Sequence, residues 1–374
     1  MAVDRLLILS ASAGAGHVRA AEALAKAAGE ARAAREIIHY DILKYSAGLM
    51  RALYSRTYFK LVNIAPELLG WMYHRSDQPW KLIRRRTAFD RANLRKMIWM
   101  IEKADPDLIL CTHFTPAEVV SWLKHHGRLR APQGIVITDL DAHGMWMVPT
   151  YDRYFVARDE TKAYLESVGV PGNKIGVTGI PIDPVFAIRK DRSAMRRKLR
   201  LPGRSPVLLI SAGGFGVGPV EKILKSLAGM RHPATVVAIC GRNEALRRRL
   251  ARYHRARGPV RFRVIGYTTA MDEWMAAADL LVGKPGGLTT SEALARGVAL
   301  AVVSPIPGQE ERNSDALLEE GAAIRCNNLS VLGWKIDRLL ADSRRLAAMK
   351  RHAFRIGRPH AARDVIRQAL RLVP

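Results

Sequence analysis

Two glycine-rich turns constrain the fold more than any other feature of this 374-residue sequence. The first, SAGAGH at 12–17, follows the apolar run RLLILSA (5–11) and leads into the alanine-rich stretch HVRAAEALAKAAGEA. The second, SAGGFGVGPVEKIL at 211–224, overlaps the end of the apolar run PVLLISAGG. A buried strand, a glycine turn and a helix, in that order, open a βαβ unit. The sequence therefore predicts two α/β domains, each of which begins with a strand, a glycine turn and a helix.

Further apolar runs alternate with helical stretches in both halves of the chain. The predicted strands are DLILCTH (107–113), GIVITDL (134–140), RYFVAR (153–158), TVVAICG (235–241), FRVIGY (262–267), DLLVGKPG (279–286) and ALAVVSP (299–305), with VTGIPIDPVF (177–186) as a last strand and exit turn of the first half. We expect two doubly wound domains in series, residues 1–190 and 200–357, joined through a basic stretch that ends in proline and glycine. The amphipathic C-terminal helix within 358–374 is expected to pack back on the first domain.

The charge balance is unusual. Sixty Lys and Arg residues against 34 Asp and Glu residues give a formal charge of +26 and a pI near 10.6. Such a balance favours a polyanionic partner, which is a nucleic acid, an anionic membrane surface or a phosphate-bearing substrate. Because no helix-turn-helix, RNP or zinc pattern accompanies the charge, the sequence argues against nucleic acid.

The sequence predicts a cytoplasmic chain that lies on a membrane rather than crosses it. No stretch approaches the roughly 20 apolar residues that span a bilayer. The N-terminal apolar run is short and is preceded by Asp4, where a signal peptide carries positive charge. Cys111, Cys240 and Cys326 are far apart and lack metal-ligand spacing, so three reduced, buried thiols are expected.

Residues 44–100 combine basic and aromatic side chains. This region holds twelve Lys and Arg residues against three acids. Basic residues interleaved with tryptophan suit a surface that docks on anionic lipid headgroups. The alternative is a helix pair whose aromatics belong to an ordinary core. The residues assigned to membrane contact are Trp71, Trp80, Arg84, Arg85 and Arg86.

A third motif, KPGGLTTSEALARG at 284–297, places a proline and two glycines before a helix. The N–H groups at a helix start and the positive end of its dipole attract phosphate. Glu292 lies about one turn inside this helix, and Lys284 directly precedes the turn. A packed helix with a solvated lysine is the plainer interpretation. The motif alone therefore predicts an anion site without proving it.

Seven motifs in order resemble the family-28 glycosyltransferases. They are SAGAGHVRAAEAL, TDLDAHGMW, TGIPIDPVF, SAGGFGVGPV, CGRNEAL, KPGGLTTSEALARG and PIPGQEERN, and the match to the family runs in order from residue 6 to about residue 326. The similarity is greatest to plant-type monogalactosyldiacylglycerol synthases and bacterial processive diacylglycerol glucosyltransferases. The resemblance implies a GT-B fold, with two Rossmann-like domains facing across a cleft, the acceptor on the first and a UDP-sugar on the second. It also implies inverting transfer of a hexose to diacylglycerol without a catalytic metal or other cofactor.

By this resemblance, the second domain and its following segment bind the donor. Glu292 accepts hydrogen bonds from the ribose hydroxyls, Gln309 and Glu310 reach the sugar hydroxyls, and Asn313 helps to hold the loop. Gly266 and Tyr267 lie near uracil, and Arg242 is a phosphate or base contact. The remaining donor-binding residues are expected along the glycine turns: Gly213, Gly214, Gly216, Lys284, Gly286, Gly287 and Thr289.

The resemblance also names the catalytic and acceptor residues. His17 is the general base on the acceptor hydroxyl, and a helix N-terminus keeps a histidine neutral and able to accept a proton. Asp139 is the alternative base or the group that orients His17. Asp139-Leu-Asp141 has the D-x-D form of metal-dependent glycosyltransferases, but the phosphate-binding motifs lie in the other half of the chain. The acceptor pocket is expected to be bordered by Gly14, Gly16, His143 and Trp146; plant enzymes have glycine where this chain has Ala15.

Several rival functions share parts of this pattern. Another lipid acceptor, such as a polyprenyl-diphosphate intermediate, would use the same donor half. A UDP-sugar 2-epimerase has the same two domains, but the basic aromatic region argues against a soluble enzyme. A non-catalytic UDP-sugar sensor at the inner face of the cell membrane would not need His17 or Asp139. The sugar is glucose, galactose or glucuronate, because a few hydrogen bonds separate them.

Overall fold

The computed structural model describes residues 2–12, 14–45, 66–80, 94–211, 218–255 and 258–374. The chain divides into two compact units. The first comprises residues 1–184, 306–313 and 358–374, and the second comprises 185–305 and 314–357. The boundary thus falls after Pro184, before the basic stretch and before residue 190, where the first domain was predicted to end. A short segment from the second half of the sequence belongs to the first unit.

Each unit is a parallel sheet covered by helices. The described helices are α1 (Ala15–Glu30), α2 (Pro66–Ser76), α3 (Arg95–Ala104), α4 (Phe114–His125), α5 (Asp159–Ser167), α6 (Arg192–Lys198), α7 (Val220–Ala228), α8 (Glu244–Leu250), α9 (Met271–Ala277), α10 (Gly287–Ala295), α11 (Gln309–Glu319), α12 (Leu332–Ala341), α13 (Ser343–Ile356) and α14 (Ala361–Ala369). Helix α11 begins in the segment 306–313 and continues into the second unit. No helix in these described ranges is both long and apolar enough to cross a bilayer.

The sheet of the first unit has six parallel strands in the order β2-β1-β3-β4-β5-β6. They are β1 (Val3–Ser10), β2 (Ala34–Asp41), β3 (Leu108–Cys111), β4 (Gln133–Val136), β5 (Arg153–Val156) and β6 (Ile175–Val177). Alternate residues of β1 enter different cores, Leu7 and Leu9 on one face and Leu6 and Ile8 on the other. Helices cover both faces, which is why this strand reads as a continuous apolar run.

The sheet of the second unit also has six parallel strands, in the order β12-β11-β10-β7-β8-β9. They are β7 (Val207–Ser211), β8 (Ala234–Ile239), β9 (Val260–Ile265), β10 (Leu280–Gly283), β11 (Ala299–Val302) and β12 (Ala323–Arg325). Numbered from β7, this is the order 6-5-4-1-2-3, which is that of dinucleotide-binding folds. The predicted α/β class with two Rossmann-like, doubly wound sheets is confirmed.

The strand order reverses once in each sheet. In the first unit the reversal lies between β1 and β3, and in the second it lies between β7 and β10. Ligands of open α/β sheets bind beyond the carboxyl ends of the strands at such a point. The residues that follow β1, β3, β7 and β10 are therefore the first place to look for chemistry.

Helix α14 packs on the first unit. Ala362, Val365 and Ile366 share a buried cluster with Leu24 of α1 and Phe155 of β5. Gly179 lies against the residues just before this helix. Its φ is +89°, and a Cβ there would overlap the Arg358 side chain. The C-terminal residues thus complete the core of the unit in which the chain begins.

Two strands and one strand boundary differ from the sequence prediction. Strands β2 and β12 were not predicted, and β6 ends at Val177, so VTGIPIDPVF follows a strand instead of containing one. The three cysteines are free and buried, as predicted. Burial raises the pKa of the Cys111 thiol to about 12 and that of Cys326 to about 11, so both remain protonated near neutral pH.

Candidate functional site

His17 lies at the point where the first sheet reverses its strand order. Helix α1 begins directly after Gly14, whose extended backbone (φ −158°, ψ 166°) caps the helix without a side-chain hydrogen bond. The first turn therefore carries Gly16 and His17 close to the carboxyl ends of β1 and β3. The imidazole is half-buried and packs edge-on against His113, with 4.7 Å between ring centroids.

Two oxygens fix the tautomer of this ring. His17 Nδ1 lies 2.9 Å from the Thr112 carbonyl oxygen and 2.8 Å from Thr138 Oγ1. A carbonyl oxygen can only accept a hydrogen bond, so Nδ1 carries the proton and donates. The neutral ring then has its lone pair on Nε2. Thr112 also donates through its hydroxyl to the His17 carbonyl, over 2.9 Å, which locks the two residues together.

The surroundings keep His17 neutral. Burial lowers the pKa of the imidazole to about 4, against a smaller opposing effect of the Thr112 carbonyl. Near neutral pH the ring is therefore uncharged and can accept a proton at Nε2. That is the state required of a general base.

Asp139 follows β4 and is buried, with 7% of its surface exposed. Its carboxylate accepts a hydrogen bond from Gln309 Nε2 at 2.7 Å and one from Asn313 Nδ2 at 3.3 Å. Burial raises the pKa of this carboxyl to about 6, the two amide donors oppose the rise, and the charges of Glu310 and Asp141 add to it. The interpretation that Asp139 orients His17 is corrected, because Thr112 and Thr138 bond to the oriented nitrogen.

The segment 306–313 is bound to the first unit by its side chains. Asn313 is fully buried, and its Oδ1 accepts from the Leu140 backbone N–H at 2.8 Å, as expected of a residue that holds this loop. The Glu310 carboxylate accepts a hydrogen bond from the Ile306 N–H at 2.7 Å and so stabilises the turn before α11. Gln309 and Glu310 were assigned with the second domain, but the structure groups both with the first.

His143 and Trp146 support the site from within. His143 Nε2 donates to the Tyr73 carbonyl at 2.9 Å, and its Nδ1 accepts from the Met145 N–H at 3.1 Å. Trp146 is only 3% exposed and belongs to the core. Its ring centre lies 6.5 Å from that of His17 and 6.5 Å from that of His113. That His143 and Trp146 border the acceptor pocket stays a prediction.

The second unit presents a helix start at its own reversal point. Strand β10 ends at Gly283, and Gly286 caps α10 with extended backbone and no side-chain hydrogen bond. The first-turn N–H groups of α10 are accordingly not capped by the Gly286 residue. Lys284 and Thr289 are half-buried beside this turn, Gly287 opens the helix, and Glu292 is 1% exposed.

Three further donor candidates lie at the carboxyl edge of the same sheet. Arg242 follows β8, Gly266 and Tyr267 follow β9, and the Arg242 guanidinium lies 5.0 Å from the centre of the Tyr267 ring. Tyr267 is 58% exposed, so its ring is open for stacking. The predicted donor residues Gly213, Gly214 and Gly216 lie outside the described residues.

The proposed membrane contacts are described only in part. Trp71 on α2 is 60% exposed, and Trp99 on α3 is 57% exposed. Trp80 is 37% exposed and donates from Nε1 to the Val168 carbonyl at 2.9 Å, so it is tied to the first unit. Arg84, Arg85 and Arg86 lie outside the described residues. The exposed tryptophans on α2 and α3 do not belong to a core.

Sequence reasoning missed several residues that organise the first unit. Thr112 and Thr138 hold His17, and Tyr73, Asp77 and Arg312 form a cluster around the segment 306–313. The only available signal for the threonines was their place at the ends of predicted strands. Among the residues described, no group of three or more His, Cys, Asp or Glu side chains is arranged to hold a metal ion.

Comparisons with known proteins agree with the two-unit division. Residues 17–182 match the sequence model of a family described as monogalactosyldiacylglycerol (MGDG) synthase. Residues 191–355 match that of the glycosyl transferases group 1.

Curated relatives match almost the whole chain. Proteins named processive diacylglycerol beta-glucosyltransferase, from Bacillus cereus (strain AH187) and Bacillus thuringiensis (strain Al Hakam), are each 32% identical over 365 residues. Each alignment covers 97% of this chain and 92% of the relative.

Solved structures share the fold. MurG of Acinetobacter baumannii superimposes with a TM-score of 0.63 at 16% identity, over 98% of this chain and 99% of that one. Anabaena Alr3699/HepE, solved in complex with UDP-glucose, gives 0.55 at 14% identity over the same shares. The identity to the Bacillus proteins over nearly the whole length decides the family: this chain belongs to the glycosyltransferases that comprise the MGDG synthases and the processive diacylglycerol β-glucosyltransferases.

Proposed function

We propose that this protein transfers a hexose from a UDP-sugar to the free hydroxyl of diacylglycerol, with inversion at the anomeric carbon. The names of the relatives that are 32% identical over 97% of the chain support diacylglycerol as acceptor and glucose as the sugar. A solved structure of the same fold with UDP-glucose bound supports the donor class. The product is a glycosyl-diacylglycerol and the leaving group is UDP.

The observation that carries this proposal is the pair of oxygens at His17 Nδ1, at 2.9 and 2.8 Å. With Nδ1 protonated, Nε2 takes the proton of the acceptor hydroxyl while that oxygen bonds to the anomeric carbon. The bond between the anomeric carbon and the diphosphate oxygen breaks, and its electron pair leaves with UDP. His17 is thus the general base.

The Thr112 carbonyl has a second use once Nε2 is protonated. The imidazolium that forms still donates from Nδ1 to this oxygen, and a hydrogen bond to a charged donor is stronger than one to a neutral donor. The interaction therefore strengthens as the proton moves. Asp139, with a pKa raised to about 6 by burial, is the alternative proton acceptor of the same unit.

The second unit supplies the nucleotide contacts in this proposal. The helix start at Gly286 and Gly287, together with Lys284, holds the diphosphate and stabilises the charge that develops on UDP. No catalytic metal or other cofactor is assigned to this step. The buried Glu292 carboxylate accepts from the ribose hydroxyls, and Tyr267, Gly266 and Arg242 hold uracil. Gln309 and Glu310 read the sugar.

A membrane-surface location follows from the acceptor and from the charge. Diacylglycerol resides in a bilayer, and the chain carries a net charge of +26. Helix α2 exposes Leu68, Trp71 and Met72 on one side, a pattern suited to the interface of an anionic membrane. We therefore propose peripheral binding at the inner face of the cell membrane, which concentrates the enzyme on its acceptor.

A transfer assay on vesicles tests this proposal. Anionic vesicles with diacylglycerol receive UDP-glucose, UDP-galactose or UDP-glucuronate separately, with and without EDTA, and His17→Ala is run in parallel. The expected result is a glycolipid from UDP-glucose that forms equally in EDTA and is lost in the variant. Measurable UDP binding without any glycolipid would contradict diacylglycerol as the acceptor.

A further inference from the structure

Helix α2 has two chemically different faces. Leu68, Trp71 and Met72 are 49%, 60% and 49% exposed, whereas Gly70 is buried and Tyr73 is half-buried. At 100° per residue, Gly70 and Tyr73 lie on the side of the helix opposite to the exposed residues. One face is therefore open to solvent, and the other contacts the protein.

The inward face of α2 touches the segment that carries Gln309. A Cβ on Gly70 would lie 2.7 Å from Pro307 Cβ, and a Cβ on Gly308 would overlap the Tyr73 ring. Gly308 also has a φ of +89°, which other residues rarely adopt. A glycine on each side thus allows the helix and the segment 306–313 to approach closely.

Arg312 fixes this contact by charge. Its guanidinium bonds to the Asp77 carboxylate just beyond the end of α2, lies 5.4 Å from the centre of the Tyr73 ring, and reaches the Ala142 carbonyl at 3.3 Å. Asp77 in turn accepts from the Gly144 N–H at 2.7 Å. Arg312 and Gln309 lie on the same first turn of α11, so anything that moves one moves the other.

We propose that Gly70, Tyr73, Asp77 and Arg312 are positioning residues that tie the orientation of Gln309 to the docking of α2 on an anionic lipid surface. Arg75, whose guanidinium lies 5.6 Å from the centre of the Trp71 ring, gives the open face the charge for that partner. The inference rests on the proposed function, which assigns α2 to the membrane and Gln309 to the sugar. It adds a physical link between the two.

Such a link is reciprocal and can be measured without turnover. If lipid docking favours the arrangement of Gln309 that binds the sugar, lipid tightens sugar-nucleotide binding, and the nucleotide tightens lipid binding by the same factor. UDP alone lacks the sugar that Gln309 reads. The effect is therefore specific to UDP-glucose, which a purely structural role of Arg312 does not predict.

The experiment measures the Kd of UDP-glucose and of UDP by calorimetry, with and without phosphatidylglycerol vesicles that contain no diacylglycerol. For the full-length protein we expect vesicles to tighten UDP-glucose binding by about fivefold or more and to leave UDP binding unchanged. Arg312→Ala should still sediment with the vesicles and bind UDP, but lose the tightening. Equal tightening in Arg312→Ala, or none in the unaltered protein, would overturn the inference.

A second variant and a control keep the result interpretable. Gly70→Ala places a methyl group against Pro307 and should also abolish the tightening, although alanine favours the helix itself by about 1 kcal/mol. Arg363→Ala removes an arginine that pairs with Glu30 elsewhere on the first unit. This control variant should retain the tightening of UDP-glucose binding by vesicles. If the unaltered protein does not sediment with the vesicles, the docking part of the proposed function fails, and the inference fails with it.

Discussion

Both units have a strand, a turn and a helix at the point where the strand order of the sheet reverses, but the residues at the two helix starts differ. In the first unit the helix start carries His17, and the Thr112 carbonyl directly after β3 and the Thr138 hydroxyl after β4 accept hydrogen bonds from its imidazole. In the second unit the start of α10 has a glycine as its N-cap, which makes no side-chain hydrogen bond to the first-turn N–H groups, and Glu292 is buried one turn further on. One arrangement can move a proton, and the other can hold an anion.

The pKa shifts support this distinction. In the first unit, burial disfavours the charged form of both groups: it moves the pKa of His17 down to about 4 and that of Asp139 up to about 6. Opposite pKa shifts of two titratable groups within one site are typical of acid–base chemistry. The comparison predicts that variants in the first unit impair transfer and that variants in the second impair nucleotide binding.

The largest expected effect belongs to His17. Replacing it with alanine removes the general base, so transfer to diacylglycerol should fall by about 10²- to 10⁴-fold. UDP binding should change by less than about twofold, because in this account the nucleotide is held by the other unit. Transfer rates and calorimetric Kd values measure the two quantities.

His125→Ala, an exposed histidine at the end of α4, is the matched control and should behave like the unaltered protein. A large loss of UDP binding in His17→Ala would break the comparison, since the first unit would then hold the nucleotide.

The next effect is expected in the second unit. Glu292→Gln keeps the size of the side chain but removes the charge that, in the proposed function, accepts two ribose hydrogen bonds. Hydrogen bonds to charged groups are worth about 1.5–3 kcal/mol, so UDP should bind about 10- to 100-fold more weakly. The rate at saturating UDP-sugar should change far less than the Kd.

Glu244→Gln, an exposed glutamate on α8 that pairs with Arg247, serves as the control. Unchanged UDP binding in Glu292→Gln would show that this carboxylate only stabilises the helix. It would contradict the assignment of Glu292 to the donor site.

A smaller effect is expected for Thr138. Valine at this position keeps the shape but removes the hydroxyl that accepts from His17 Nδ1, while the Thr112 carbonyl remains. Because one such bond contributes about 1 kcal/mol, kcat should fall about fivefold with little change in the KM for UDP-sugar. Thr138→Ser retains the hydroxyl and should restore most of the rate; equal losses in both variants would point to packing instead.

The smallest effect concerns stability and its dependence on pH. The raised pKa of Asp139 means that its ionised form is disfavoured in the folded protein, so stability is lost as pH rises from 3.8 through about 6. Asp139→Asn should therefore stabilise the first unit at pH 8, by up to about 3 kcal/mol, and by roughly half as much at pH 5. Urea titrations at the two pH values measure this; an equal gain at both would contradict a raised pKa.

Much of the fold was predictable because buried parallel strands are continuous apolar runs. Strands β1, β3, β8 and β10 lie within or overlap the predicted runs. Strand β2 was not predicted because it is an edge strand. Its residues Arg35 and Glu36 are exposed, so the sequence shows neither an unbroken apolar run nor a regular alternation of apolar and polar residues. Strands β6 and β12 have only three residues each, too few for a pattern.

Residues of the candidate site could be predicted only where they belong to a recognisable sequence motif. His17 and Asp139 stand in recognisable motifs, but Thr112 and Thr138 lie 95 and 121 residues from His17 along the chain. Their role depends on the order of strands in the sheet, which no local pattern encodes. The assignment of segment 306–313 to the first unit depends in the same way on Gln309 and Asn313 reaching Asp139.

The most direct test of the account is the tautomer of His17. In protein labelled with ¹⁵N in the histidine rings, a ¹H–¹⁵N correlation spectrum at pH 7, assigned by its loss in His17→Ala, reports which nitrogen carries the proton. The account predicts a neutral ring with the proton on Nδ1, bonded to the Thr112 carbonyl, and an unprotonated Nε2. A proton on Nε2, or a doubly protonated ring at that pH, would contradict the assignment of His17 as the base.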